Sequence, residues 1–116
     1  MAANDPVELV WSPSALRDVE AIHQFLGSRS SRAATAAVRA VKAGAERLQD
    51  HPEIGAVAED VDPVGVYRHL VVRPFRIIYR LEGATLRILR VWDSRRNPDD
   101  LRIVDLALIS GGASSR

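Results

Sequence analysis

Residues 75–92 read FRIIYRLEGATLRILRVW, and the fold turns on this stretch. Phe75, Ile77, Tyr79 and Leu81 alternate with Arg76, Ile78 and Arg80. That is the period of two with which a strand sends successive side chains to opposite faces. Glu82-Gly83 breaks the run with a tight-turn signal and Thr85–Trp92 resumes it, so the two runs predict a β-hairpin. The apolar residues of Thr85–Trp92 fall on both faces, the pattern of an inner strand. Upstream, Val66–Val72 ends at Arg73-Pro74 and supplies a further strand, giving a three-stranded antiparallel sheet.

Before that sheet the period changes. Val7–Trp11 alternates like a short strand and runs into Ser12-Pro13, an N-cap followed by a proline that loses nothing at the first helical position. Leu16, Val19, Ile22 and Leu26 then recur at helical spacing until Gly27. Ser30 or Ser31 can cap a second helix, whose stripe is Ala34, Ala37, Val38, Val41, Ala45 and Leu48. His51-Pro52 ends it, because the residue before proline is pushed out of the helical region. The short link between the helices predicts an antiparallel hairpin. The acidic, turn-rich stretch Pro52–Pro63 is expected to be an exposed loop. After Asn97-Pro98, Asp99 and Asp100 suit a helix start, with Leu101, Val104 and Leu108 along one face. Strands kept apart from helices in sequence indicate an α+β fold: an N-terminal strand, a helical hairpin, three antiparallel strands and a short C-terminal helix. The expected organisation is a tail over residues 1–6, one domain over 7–98, a helical extension over 99–110 and a disordered tail over 111–116.

Composition narrows the class. The 116 residues make one domain, and no apolar run approaches a membrane span. The start lacks the marks of a signal peptide and the chain has no cysteine, so the expected compartment is the cytoplasm, without disulfides or thiolate metal sites. The net charge of +1 hides an asymmetry: residues 43–67 carry one arginine against six acids, and residues 68–116 ten arginines against five acids. Solvated ion pairs are one reading of this; a basic surface for an acidic partner or nucleic acid is the other. His23, His51 and His69 lie on different elements without ligand spacing, so neither a metal nor a cofactor is expected.

Several local motifs resemble the RelE/ParE superfamily of toxins from type II toxin–antitoxin pairs. Trp11-Ser12-Pro13-x-Ala15, with Asp18 and Ile22, is similar to the opening of its ParE-like members. Leu48-x-x-x-Pro52-x-x-Gly55 resembles their exit from the second helix. Arg68-x-Leu70-x-Val72 with Phe75-Arg76-Ile77-Ile78-Tyr79 looks like their central strand pair, and Val91-x-x-x-Arg95-Arg96-x-Pro98 like their last strand and its basic end. Trp92 stands where a histidine often follows the valine. The resemblance implies a cognate antitoxin that wraps a disordered segment over the toxin, and growth arrest when the antitoxin is missing. It leaves two targets. ParE-like members inhibit DNA gyrase by binding; RelE-like members cut mRNA on the ribosome.

RNA cleavage without a metal needs a base for the 2′-hydroxyl, cations for the phosphate and an acid for the leaving oxygen. In the RelE-like alternative Arg68, Arg76 and Arg96 would be the candidate catalytic residues. Yet Leu70 holds the place of a second basic strand residue, and no tyrosine follows Tyr79. Arginine hardly deprotonates and is a poor proton shuttle. The expectation is therefore a ParE-like binder with no catalytic residues, which meets its target through Arg68, Arg76, Arg80, Trp92, Arg95 and Arg96 and its antitoxin through Leu101, Val104 and Leu108. A member that has lost toxicity and serves only antitoxin binding and operon regulation is the third reading. Each arginine could instead pair with Asp93, Glu82 or the acidic loop, Trp92 could be plain core, and the C-terminal stripe could pack on the domain.

Overall fold

A computed structural model of the chain describes residues 6–108. The expected N-terminal tail lies outside them except for Pro6, as do residues 109 and 110 of the helical extension and the whole expected tail 111–116. The chain runs β1 (Glu8–Trp11), α1 (Pro13–Gly27), α2 (Ser31–Asp50), β2 (Ala56–Val57), β3 (Arg68–Val72), β4 (Phe75–Glu82) and β5 (Thr85–Asp93), then a single 3-10 turn at Pro98–Asp100. The α+β order read from the sequence holds. The sheet is larger than three strands: its order is β1-β5-β4-β3-β2, with β1 parallel to β5 and the other pairs antiparallel.

The motif around Ser12 has a physical reason. Trp11 pairs with Ile88, after which β1 stops and leaves the outer edge of β5 open. Ser12 accepts the Ala15 N–H as N-cap of α1 while its hydroxyl donates to the Leu89 carbonyl at 3.0 Å. One turn on, Asp18 accepts the Val91 N–H at 2.9 Å and both Nε and Nη2 of Arg90. The start of α1 thus satisfies the polar groups that β1 is too short to reach. Ala15 is fully buried, which lets the helix sit this close.

Two cores result. On the helix side, Ala15, Val41, Ala45 and Leu48 pack on Leu70, Phe75, Ile77, Tyr79, Leu86, Ile88 and Val91. Leu16, expected in the α1 stripe, is instead exposed beside a groove between the two helices and β1. Gly44 of α2 lies against the sheet; a Cβ there would come within 2.9 Å of Val72. On the second face a smaller cluster joins Ala58, Val61, Tyr67, Ile78, Leu89 and Trp92. A bulge divides β5 between the two: Ile78 pairs with Arg90 and Tyr79 with Ile88, so Leu89 is an extra residue and the inward positions change parity beyond it.

Two expectations fail here. Pro52–Pro63 is not a plain exposed loop: Ala56–Val57 adds an edge strand to β3, and Ala58 and Val61 are buried in the second-face cluster. Nor does the C-terminal helix begin at Asp99. Only Pro98–Asp100 is a 3-10 turn, residues 101–105 have no regular helix, and helical structure starts at 106. The cause is the packing of the extended segment on the second face.

Candidate functional site

The arginines expected to form one recognition surface are divided between two faces. Arg68 pairs across the ladder with Tyr79, and Arg76 with Val71. Directly opposed residues share a face, so Arg68 lies on the helix side while Arg76, Ile78 and Arg80 lie on the other. Arg68 donates to the carbonyls of Gly55 at 2.7 Å and Glu53 at 3.4 Å, holding the chain that leaves α2. Tyr79 works beside it, donating to the Pro52 carbonyl and accepting the Gly55 N–H. Burial pushes its hydroxyl pKa up. Gly55 must be glycine: a Cβ would lie 2.6 Å from both the His69 carbonyl and the Tyr79 hydroxyl.

Arg76 forks onto Asp60 of the acidic loop and also reaches His69 Nδ1 at 3.2 Å. The hydrogen bond from Arg76 holds the Asp60 carboxyl below its ordinary value. Burial first, and the Arg76 charge second, lower the pKa of His69. Because arginine can only donate, His69 accepts through Nδ1 and carries its proton on Nε2. Its one basic lone pair is thus already used. Arg80 is deeper, its side chain 6% exposed, and it donates through Nε and Nη2 to Asp105 at 2.7 and 3.1 Å. Tyr67 donates to the same carboxylate at 3.1 Å. Burial, then that hydrogen bond, push the Tyr67 pKa up to about 12. Desolvation opposes the Asp105 charge, but Arg80 and Tyr67 outweigh it and its pKa is lowered. Of the partners the sequence offers the arginines, Asp93 pairs with Arg95, Glu82 with Arg80 and Arg87, and the acidic loop supplies Asp60; Asp105 and Tyr67 are not among them.

Trp92 is core: its residue is 1% exposed. Its ring is covered by the guanidinium groups of Arg96 at 4.1 Å and Arg90 at 5.3 Å. Trp92 therefore does not stand out toward a target as the sequence led one to expect. Arg95 and Arg96 follow the last strand residue, so strand alternation no longer governs them. Arg95 folds back on Asp93 at 2.7 Å with its side chain 67% exposed, whereas Arg96 lies over Trp92 of the second-face cluster. Both rim an open basin of about 350 Å³ between α1 and the end of the sheet, floored by Ala21, Ile22, Leu26, Phe75 and Val91. Phe25 stands at its side, 56% exposed, with the Arg29 guanidinium 4.5 Å above the ring. Phe25 and Arg29 escape sequence reasoning because Phe25, three residues after Ile22 and next to Leu26, merges with the apolar stripe of α1. Leu101, Val104 and Leu108 make no common stripe: Leu101 packs on the second-face cluster, while Val104 is 53% exposed and Leu108 37%.

Comparison with known proteins agrees with this architecture. The family model for the ParE toxin of the type II toxin–antitoxin system, parDE, matches residues 9–98. The chain is 31% identical over 90 residues to Toxin RelE2 of Caulobacter vibrioides, an alignment that spans 77% of this chain and 97% of that protein. A solved structure described as the chromosomal ParDE TA system from P. aeruginosa superposes with a TM-score of 0.64 at 26% identity, covering 75% of this chain and 95% of that one. The matched region runs from β1 through the basic end of β5, the span that contains both cores' sheet residues, and the chain therefore belongs to the ParE family of type II toxins within the RelE/ParE superfamily.

Proposed function

We propose that the protein acts as a ParE-like toxin by binding DNA gyrase, without catalysis, and is neutralised by a cognate antitoxin. The observation that carries this reading is the state of the residues an RNA-cleaving site would use. Arg68 is committed to backbone carbonyls, Arg76 to Asp60 and His69, and the His69 lone pair to Arg76. Leu70 is buried where a second cation would be needed. No group on the sheet, among the described residues, is left poised to take or give a proton. The basin beside Phe25, Arg29, Arg95 and Arg96 instead has the makeup of a contact surface, an aromatic and arginines around an apolar floor.

The other reading is the RelE-like branch, mRNA cleavage on the ribosome, with Arg68, Arg76 and Arg96 as its catalytic candidates. Against it, Arg68 and Arg76 lie on opposite faces of the sheet and do not converge on one phosphate, and the name Toxin RelE2 does not choose between the branches. Both readings meet one experiment. Purified protein is assayed for gyrase supercoiling and for trapped cleavage complexes, beside mRNA on programmed ribosomes. Loss of supercoiling with intact mRNA is the expected result. Cuts in mRNA with gyrase untouched would reverse the assignment. Two negative assays with tight antitoxin binding would point to a member that only regulates its operon.

A further inference from the structure

The cations of the chain are sorted by place. On the sheet each arginine is occupied: Arg76, Arg80, Arg87 and Arg90 meet a carboxylate, and Arg68 holds backbone carbonyls. At the end of the molecule around the basin the pattern reverses. Residues 21–45 carry Arg29, Arg32, Arg39 and Lys42 and no acid. α1 ends at Gly27 and α2 begins at Ser31, so Arg29 and Arg32 stand at the tip of the helical hairpin. The Ser94 N–H donates to the Pro74 carbonyl at 2.8 Å, which sets Arg73 of the β3–β4 turn beside the stretch that carries Arg95 and Arg96. Arg29, Arg32 and Arg73 are exposed and have no carboxylate in salt-bridge reach among the described residues. Phe25 and Leu26 of α1 line the basin together with Arg95 and Arg96, so the hairpin tip and the sheet end border one depression. The acids beside it are taken, Asp93 by Arg95 and Asp18 by Arg90 and the Val91 N–H.

We propose that this end is a site for a single DNA strand, whose phosphates lie on Arg29, Arg32, Arg73 and Arg95 and one of whose unpaired bases stacks on Phe25 over the apolar floor. The inference rests on gyrase being the target, since gyrase holds DNA, and it gives the toxin a second hold on the gyrase–DNA complex. Like charges gathered without partners repel one another in the free protein and create a field for a polyanion. Cations spread over a hairpin tip, a sheet turn and a strand end exceed what one carboxylate can use, whereas a strand offers a charge at every residue. All four are arginines, whose planar fork matches a phosphate through two nitrogens. Phe25 is 56% exposed beside them. An exposed ring within a basic groove is the platform on which single strands stack, because every base has a flat face.

The test uses the full chain and a fluorescent single-stranded oligodeoxynucleotide, with no gyrase present, so its failure is distinct from a failure of the supercoiling assay. Anisotropy is followed over a range of salt. With about four phosphates held, the logarithm of the binding constant should fall against the logarithm of salt with a slope of roughly −3. Arg32→Ala should shallow that slope by about 0.7. Arg47→Ala removes an equal charge from the last turn of the same helix and should leave the slope alone. Equal effects of the two would mean general attraction to net charge and overturn the site. Phe25→Ala should weaken binding roughly tenfold; should it misfold by circular dichroism, Phe25→Leu keeps an apolar side chain without the ring and should weaken binding in the same sense. Indifference of a folded Phe25 variant, or a duplex of the same length bound as tightly, overturns the stacked base. RNA of the same sequence bound more tightly overturns the assignment to DNA. A polyglutamate of matched charge that displaces the strand as readily as unlabelled DNA does would mean an acidic protein partner and overturn the proposal.

Discussion

On its helix side the sheet meets Val41, Ala45 and Leu48 of α2, apolar against apolar. On the second face it meets the 56–66 stretch and residues 101–105, and all three charged side chains buried among the described residues, Arg76, Arg80 and Asp105, lie there. The two covers therefore come away in different ways. Apolar burial is non-directional and is lost only when the helices leave. An arginine–aspartate pair offsets its desolvation only while both members are in place, so its cover is conditional on one geometry. The helix side is therefore expected to hold the fold together, and the second face to loosen first.

Arg80→Ala should divide the two faces by the widest margin. It leaves Asp105 and Tyr67 buried without their cation and should cost about 3–5 kcal/mol of stability. The double variant Arg80→Met/Asp105→Leu removes both charges and should recover most of that, as apolar replacements of buried pairs tend to do. Denaturant titration of the two variants decides it: equal losses would mean that the pair acts through packing alone. Next in size is Ile77→Ala, which opens a cavity on the helix side and should cost about 2–5 kcal/mol. Its neighbour Ile78 points to the other face, so Ile78→Ala should loosen the second-face cover ahead of the whole. Hydrogen exchange checks this. Faster exchange confined to the 56–66 and 98–108 regions is expected for Ile78→Ala, and a uniform acceleration for Ile77→Ala.

The same contrast explains what could be read from the sequence. Ser12-Pro13, Ser30, His51-Pro52 and Glu82-Gly83 act through local rules, and each marks an element end where expected; Gly83 indeed takes φ +58° in its turn. The bulge at Leu89 is illegible because the apolar run of β5 fits either parity. The C-terminal segment shows the limit most clearly. Leu101, Val104 and Leu108 have helical spacing, while Leu101, Ile103 and Asp105 have strand spacing, and the same residues carry both patterns. What selects the second is Arg80, more than twenty residues away and itself identifiable only as one arginine among fifteen. Arg68 and Arg76 are visible as candidates, but their faces follow from ladder register, and their partners Gly55 and Asp60 from a loop whose path no period encodes.

Acid and base should both act on the second face first. Asp105 and Asp60 have pKa values below the ordinary 3.8, so the stability they contribute is whole above that value and is lost as pH falls through their lowered values. Tyr67 is raised from 10.0 to about 12, so its contribution is whole below pH 10.0 and is lost as pH rises toward 12. The groups around Asp105 are Arg80, Tyr67 and, through Arg80, Glu82. Acrylamide quenching of Trp92, read in a Trp11→Phe chain in which it is the one indole, should therefore rise at both extremes while α1 and α2 keep their dichroism. A helical signal that disappears in step with Trp92 exposure would show that the two faces do not open separately.

The smallest effects on stability belong to the two arginines after β5, and there function and stability should part. Arg96 lies 4.1 Å over the Trp92 ring, a cation–π contact on an exposed residue, and Arg96→Ala should cost about 0.5–1 kcal/mol. Arg95 bridges to Asp93 two residues away with most of its side chain in water. Such a pair is screened and adds little, so Arg95→Ala should leave the thermal midpoint where it is. Yet Arg95 carries the guanidinium on the basin rim that a partner can engage without first uncovering a ring. Its two hydrogen bonds to Asp93, at 2.9 and 2.7 Å, lie in water and can be exchanged for a partner's at little cost, whereas Arg96 would have to leave Trp92. Growth arrest on induction should accordingly fall with Arg95→Ala and persist with Arg96→Ala, both variants being checked for antitoxin binding so that a misfolded chain is not mistaken for a silent one. If both variants keep full toxicity, the basin is not the contact surface. If Arg96→Ala alone abolishes it, the target engages the side of the rim that Arg96 shares with Trp92 and leaves Arg95 aside.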